Sequence, residues 1–232
     1  YIQRLHAFYE TNQEFLSYPA TLNERAYQLV GNEKWLLPKF GGLTVLARLG
    51  ITQESLNVFP TPEPFHYMQY NDPIQTVLIS ENKDAFYGLK KLAKGRPIRL
   101  WDGSVDLLVW GEGNHIETSF EFMSGLNASA EVQVYYWGDL DYAGIGIFER
   151  LNAKFADCRI VPHCRLYGEM LDQTPNPPEQ TTYVRNQDKE IGRFLSFFGD
   201  NRRQEIRTLL ERKRRIPQES VSYHIMSRLV KA

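Results

Sequence analysis

The apolar and polar positions of this 232-residue chain change rhythm once, close to residue 70. Before that point apolar residues recur at helical spacing. Leu5, Phe8, Tyr9 and Phe15 predict a helix from Tyr1 to about Leu16, and Leu22 to Val30 predicts a second, stopped by Gly31. Leu43 to Leu49 predicts a third, ended by Gly50, with Thr52 placed to cap a short turn. Pro60-Thr-Pro-Glu-Pro64 then excludes regular structure, because each proline fixes φ and lacks an N–H.

Beyond it, short apolar runs alternate with helical patterns. Thr76–Ser80, Val105–Trp110 and Val132–Trp137 are too short for helices and rich in β-formers, so they predict buried strands. Asp84–Leu92, Ile116–Leu126 and Tyr142–Phe155 predict the helices that follow them. A further strand is expected at Arg159–Pro162 and a loop at Gln173–Gln180. Helices are expected from about Asp188 to Phe198, Arg202 to Arg214 and Gln218 to Val230, with Pro217 in the first turn of the last. Such alternation predicts an α/β fold with a parallel sheet flanked by helices. The expected organisation is a mainly helical segment over 1–70, then an α/β domain over 71–232 that ends in basic helices.

Composition narrows this little. With 42% hydrophobic and 24% charged residues, disorder is expected only at the ends and in the proline-rich stretch. No run of about 18 apolar residues exists, so no membrane helix is expected. The opening residues lack a charged region followed by an apolar core, so no signal peptide is expected either, and the expected compartment is the cytoplasm. Without an initiator Met, the chain reads as a fragment of a longer protein. Cys158 and Cys164, without a metal-ligand pattern, read as buried packing residues in a reducing compartment. Charge is more informative by its distribution. Residues 185–232 carry twelve Lys+Arg against six Asp+Glu, while the remainder carries 15 against 22, so a net charge of −1 conceals a basic C-terminal region. That asymmetry suits a polyanionic partner, although solvated faces of two long helices give the same count.

The candidate chemistry stands at strand ends, where α/β sheets gather it. Glu81 directly follows the first strand, and Asp139 and Asp141 directly follow the third. In extended backbone, residues i and i+2 share a side, so both aspartates can face one ion. Clustered carboxylates repel unless a cation sits among them, and oxygen-only donors suit Mg²⁺ or Mn²⁺. An Asp after a strand also commonly caps the next helix, and Asp141 stands where such a cap belongs.

Val77-Leu-Ile-Ser-Glu81-Asn82-Lys83, Trp110-Gly-Glu-Gly113 and Tyr136-Trp-Gly-Asp139-Leu-Asp141-Tyr-Ala-Gly144, in that order, resemble a Toprim domain. The resemblance is to the topoisomerase VI A-subunit-like branch, and within it to the JetD nuclease subunits of bacterial Wadjet anti-plasmid systems. Asn23 to Lys34 is similar to that family's pre-Toprim motif, with Arg25, Gly31 and Lys34 matching, and Leu56 to Pro64 is similar as well. The resemblance implies a metal-dependent DNA endonuclease subunit with Glu81, Asp139 and Asp141 as catalytic and metal-binding acids. Its expected partners are double-stranded plasmid DNA and an SMC-like ATPase complex, with a homodimer left open and no membrane. Two positions depart from the family pattern. Asn32 replaces an Asp, and Glu211-Arg-Lys-Arg-Arg215 precedes Ile216-Pro217 where the family has Glu-Gln-Glu-Arg, leaving Glu211 as the nearest acid for a fourth ligand. No Tyr is assignable as a strand-cleaving nucleophile, which favours hydrolysis by metal-activated water.

Accessory roles fall to Lys83, as a phosphate contact, and to Glu112, as an acid one layer behind the ion. His115 and Glu117 read as capping residues and His163 as a packed histidine near the sheet. Arg202, Arg203, Arg207, Arg212, Lys213, Arg214 and Arg215 are the candidate DNA contacts, spread over more than one helix face. A non-cleaving Toprim-fold module that docks DNA or a partner is the competing reading. A haloacid-dehalogenase-type phosphotransferase is a third, disfavoured because its Asp-x-Asp ends the first strand and runs on to a Thr, whereas here Tyr142-Ala143 follows the third.

Overall fold

The computed structural model describes residues 1–101, 103–179 and 191–231. The start of the helix expected at Asp188 and the end of the loop expected at Gln180 lie outside these. The chain divides into two compact units, Tyr1–Pro62 and Glu63–Ala232, so the change of rhythm near residue 70 falls inside the second.

The first unit holds α1 (Ile2–Thr11), β1 (Ala20–Thr21), α2 (Leu22–Val30), α3 (Gly42–Arg48) and β2 (Val58–Phe59), the two short strands pairing in parallel. Helix α2 has the bounds its sequence signals set. The Thr21 hydroxyl accepts the Glu24 N–H at 3.2 Å, and Gly31 closes the helix at φ 71, where a side chain would be strained. Leu5, Phe8, Leu29, Trp35, Leu46 and Leu56 form this unit's own core. Arg25 is fully buried, its guanidinium donating to the carbonyls of Phe15 and Tyr18 and to Gln28, so this motif residue ties a loop to α2.

The second unit runs β3 (His66–Gln69), β4 (Ile74–Ser80), α4 (Lys83–Ala93), β5 (Ile98–Leu100), β6 (Gly103–Val105), β7 (Leu107–Trp110) and α5 (Ile116–Ser119). It continues with β8 (Ala128–Trp137), α6 (Tyr142–Lys154), β9 (Arg159–Pro162), α7 (Cys164–Gln173), α8 (Gly192–Ser196), α9 (Asp200–Glu211), α10 (Tyr223–Leu229) and β10 (Val230–Lys231). The central sheet has the order β3-β7-β4-β8-β9. Strands β7, β4, β8 and β9 are mutually parallel, whereas β3 runs antiparallel at the β7 edge, so the sheet is mixed rather than all-parallel. This α/β architecture is consistent with a Toprim-like fold.

Three departures from the sequence pattern have local causes. The run Val105–Trp110 is two strands, because the buried Asp106 leaves the ladder to accept the backbone N–H groups of Gln75 and Thr76 at 2.9 and 3.0 Å. Strand β6 therefore pairs with β5 in a small antiparallel sheet, and β7 alone joins the centre. Ile116–Leu126 is one α-turn followed by a 3-10 stretch to Gly125, and Gln218–Val230 is broken before α10, where Ser222 caps the helix. Cys158 and Cys164 are free thiols, half-buried rather than fully packed. No helix among the described residues is long and apolar enough to cross a membrane.

The core surrounds β4, whose Val77, Leu78 and Ile79 are fully buried. On the α6 side, Phe148, Phe194, Tyr167 and Phe198 pack ring to ring, with centroids 5.0–6.1 Å apart, and hold α6, α7 and α8 together.

Candidate metal centre

Strands β4 and β8 are adjacent and in register to their ends, with Ser80 opposite Trp137. Glu81 is the residue after one, and Asp139 lies two residues past the other. The Glu81 N–H donates to the Trp137 carbonyl at 2.9 Å, so the two strand ends stay paired up to the acids. Oε2 of Glu81 accepts the Tyr136 hydroxyl at 2.8 Å and the Asp139 N–H at 3.3 Å. Oδ1 of Asp139 accepts the Asn82 amide at 2.9 Å and the Gln218 N–H at 2.8 Å. Gly138 leaves room for them, because a Cβ there would displace Glu81 Oε2 and the Tyr136 hydroxyl. At Gly144, the third residue of α6, a Cβ would collide with the Asp139 carbonyl.

Burial sets the acidities. Removal from water raises the Glu81 carboxyl to about 7, against the Tyr136 hydrogen bond and reinforced by the charges of Asp139 and Asp141. Asp139 is raised too, first by burial and then by Asp141 and Glu219, while the Gln218 N–H and Arg215 oppose this. The Tyr136 hydroxyl, fully buried against Glu81, is pushed well above the ordinary phenol value and remains a donor. Asp141 is buried and caps α6, its Oδ1 accepting the Gly144 N–H at 2.9 Å. Among the described residues no group of three His, Cys, Asp or Glu side chains is placed to hold an ion. The close pair is Glu81 with Asp139, and Asp141 stands beside it in the role of a cap.

A family model, Wadjet protein JetD, C-terminal, matches residues 44–230. The chain belongs to that family. No curated protein matches it. In this member of the JetD C-terminal family, the three strand-end motifs fall within the matched span, and the Asn23–Lys34 motif precedes it.

The accessory residues distribute unevenly. Lys83 is exposed at the first turn of α4, two residues beyond Glu81. Glu112, at φ 54, faces His115 at 3.5 Å and makes no contact with the acids among the described residues. His115 also meets Glu63, and Glu117 pairs with Arg150 at 2.9 Å. Glu211 ends α9, exposed and, among the described residues, without a contact to the centre. Of the basic residues, Arg202 is paired with Asp172 and Glu205, Arg203 with Asp200, and Arg214 with the Pro177 carbonyl. Arg207, Arg212 and Lys213 are exposed, and the charge of Arg215 reaches Asp139.

Sequence reasoning missed the segment after Pro217. Gln218 is fully buried, donates to Ser80 Oγ at 2.9 Å and the Trp137 carbonyl at 3.2 Å, and accepts the Asn82 N–H at 2.9 Å. Glu219 accepts the same Asn82 amide that holds Asp139, at 3.2 Å, and so is the acid of the C-terminal region that approaches the centre. No spacing rule signals a contact across 136 residues of chain. Its only trace was the position of Gln218-Glu219 directly after Ile216-Pro217, whose Ile216 bridges Leu140 between the two aspartates.

Proposed function

We propose that the chain is the catalytic part of a Toprim-type, divalent-metal-dependent DNA endonuclease that cleaves plasmid DNA within a Wadjet anti-plasmid system, alongside an SMC-like ATPase complex. The observation that carries this reading is the meeting of Glu81 and Asp139 at adjacent parallel strand ends, each in a setting that resists its charged form. A bound cation removes that resistance. Mg²⁺ or Mn²⁺ fits the donor set, because Mg²⁺ is held by one or two carboxylates and fills its remaining positions with water and phosphate oxygens. Such an ion supplies charge neutralisation at the phosphate and an acidified water for hydrolysis.

Within this chemistry Glu81 and Asp139 would hold the ion, and Asp141 fixes the start of α6 beside them. Asn82 and the Gln218 N–H orient Asp139. Tyr136 orients Glu81. The N-terminus of α6 and Arg215 favour an anion next to the acids. Plasmid cleavage by the full complex is expected to be lost in Glu81→Ala and in Asp139→Ala, and cleavage intact in both variants would end the reading.

A non-cleaving docking module is the second reading, and the capping role of Asp141 favours it. It predicts DNA binding that is unchanged by EDTA, with no nicking in Mg²⁺ or Mn²⁺.

A further inference from the structure

Away from the carboxylates, a cavity of about 460 Å³ lies over the face of β4, β8 and β9 beneath the β5–β6 hairpin, within the size range of small-molecule sites. Neither Glu81, Asp139, Asp141 nor Gln218 lines it. Its walls are aromatic. Trp101, in the hairpin turn, stands at φ 49, a conformation that bulky residues adopt rarely. The ring of His163 lies between Trp101 and Tyr135, with centroids at 5.5 and 5.1 Å, and the Arg165 guanidinium, also in the lining, lies over the Trp101 ring at 5.7 Å.

Its polar groups are matched to a ligand with both a donor–acceptor edge and a charge. Nδ1 of His163 accepts the Leu166 N–H at 3.3 Å, and burial holds the ring neutral, with its pKa down at about 4. The ring proton therefore sits on Nε2, a donor with no partner among the described residues. The Gln133 amide spends its N–H groups on the carbonyls of Val134 and Arg159 at 3.2 and 3.1 Å, which leaves Oε1 as an acceptor. Arg159, opposite Gln133 on β9, is exposed and makes no ion pair among the described residues. No described lining residue is acidic; Asp102, next to Trp101 in the chain, lies outside the described residues.

We propose that this pocket binds one nucleotide, with its base against Tyr135 and its phosphate at Arg159. An inorganic anion leaves the aromatic walls unused, and an uncharged ring leaves the guanidinium unused. A nucleoside monophosphate uses both, and its base edge supplies partners for Nε2–H and Oε1. The site rests on its own residues and stands whether or not the carboxylates hold a metal.

The test is calorimetric titration of the full chain in EDTA, which silences the carboxylate centre. Probes are thymidine and deoxyadenosine monophosphates, the matching nucleosides, inorganic phosphate and a short oligothymidylate. The monophosphates are expected to bind at one site, about tenfold or more tighter than nucleoside or phosphate, as one base stack contributes. Arg159→Ala, at an exposed position, and Tyr135→Leu, which keeps apolar volume, are each expected to weaken binding about tenfold, while Glu81→Ala leaves it unchanged. An oligothymidylate preference that is lost in Arg159→Ala and Tyr135→Leu identifies a unit of a DNA strand as the occupant, and equal affinity identifies a free nucleotide. Binding no tighter than that of phosphate, or binding that survives both pocket substitutions, overturns the proposal.

Discussion

Glu81 sits where its neutral form is favoured, and this has consequences for stability as well as for ion binding. Its carboxyl is raised from 4.5 to about 7 in the folded protein, chiefly by burial. Between those values the folded chain binds more protons than the unfolded one, so stability is fully present below about 4.5 and declines as pH rises to about 7. The loss amounts to at most about 3 kcal/mol. In EDTA the Tm is expected to be higher at pH 5 than at pH 8, and Glu81→Gln, which keeps the Tyr136 bond without the charge, is expected to flatten that difference. Cation binding must displace the Glu81 proton, so Mn²⁺ affinity by calorimetry is expected to rise with pH up to about 7 and then level off. Gly138→Ala tests the space between the acids. Its Cβ meets Glu81 Oε2, so Mn²⁺ affinity is expected to fall about tenfold or more, the scale at which disturbed ligand support acts on metal sites, with the circular dichroism spectrum retained.

At the scale of elements, the segment 216–220 has the largest effect for its length. Ile216 bridges Leu140, and Gln218 bonds to both strand ends and to Asn82. Removing its side chain leaves Ser80 Oγ, the Trp137 carbonyl and the Asn82 N–H short of partners in a buried place. Gln218→Ala is therefore expected to cost about 2–4 kcal/mol in urea unfolding, while the Gln218 N–H and the Asn82 amide that hold Asp139 remain in place. Helix α8, only five residues long, is stable because Phe194 enters the aromatic cluster of α6 and α7. Phe194→Ala is expected to cost about 3–5 kcal/mol by the same measurement. Strand β4 was legible because three consecutive apolar residues needed burial on both faces. The break between β6 and β7 was not, since Asp106 alternates with its neighbours as any strand residue would, and only its backbone acceptors show that it interrupts the ladder.

At the scale of the molecule, each compact unit has a separate apolar core, and the proline-rich stretch spans the division at Pro62. Among the described residues, limited proteolysis by a broad-specificity protease is expected to cut near the division before it cuts the central sheet; a cut inside the central sheet ahead of one there would contradict the division. The basic C-terminal region counts for less than its composition implied, because Arg202, Arg203 and Arg214 are engaged within the protein. Arg207 and Arg212 are exposed. If the chain binds DNA as proposed, the double variant Arg207→Ala/Arg212→Ala is expected to reduce the slope of log affinity against log salt by about 2.

By itself the sequence determined the α/β class, the strands that end at Glu81 and Asp139, and the bounds of α2. These rest on signals within a few residues of each other: apolar runs, caps, glycine stops and the two-residue period that sets side-chain direction. The tertiary structure alone decided which strands are neighbours and that β3 runs against the rest. It alone brought Asn82, Gln218 and Glu219 to the carboxylates. Those contacts span 57, 79 and 137 residues of chain, and burial there is what shifts Glu81 from an ordinary surface acid to one titrating near 7. Local pattern carries no record of that distance, because it is closed by packing of the whole unit and not by any preference of the residues that meet.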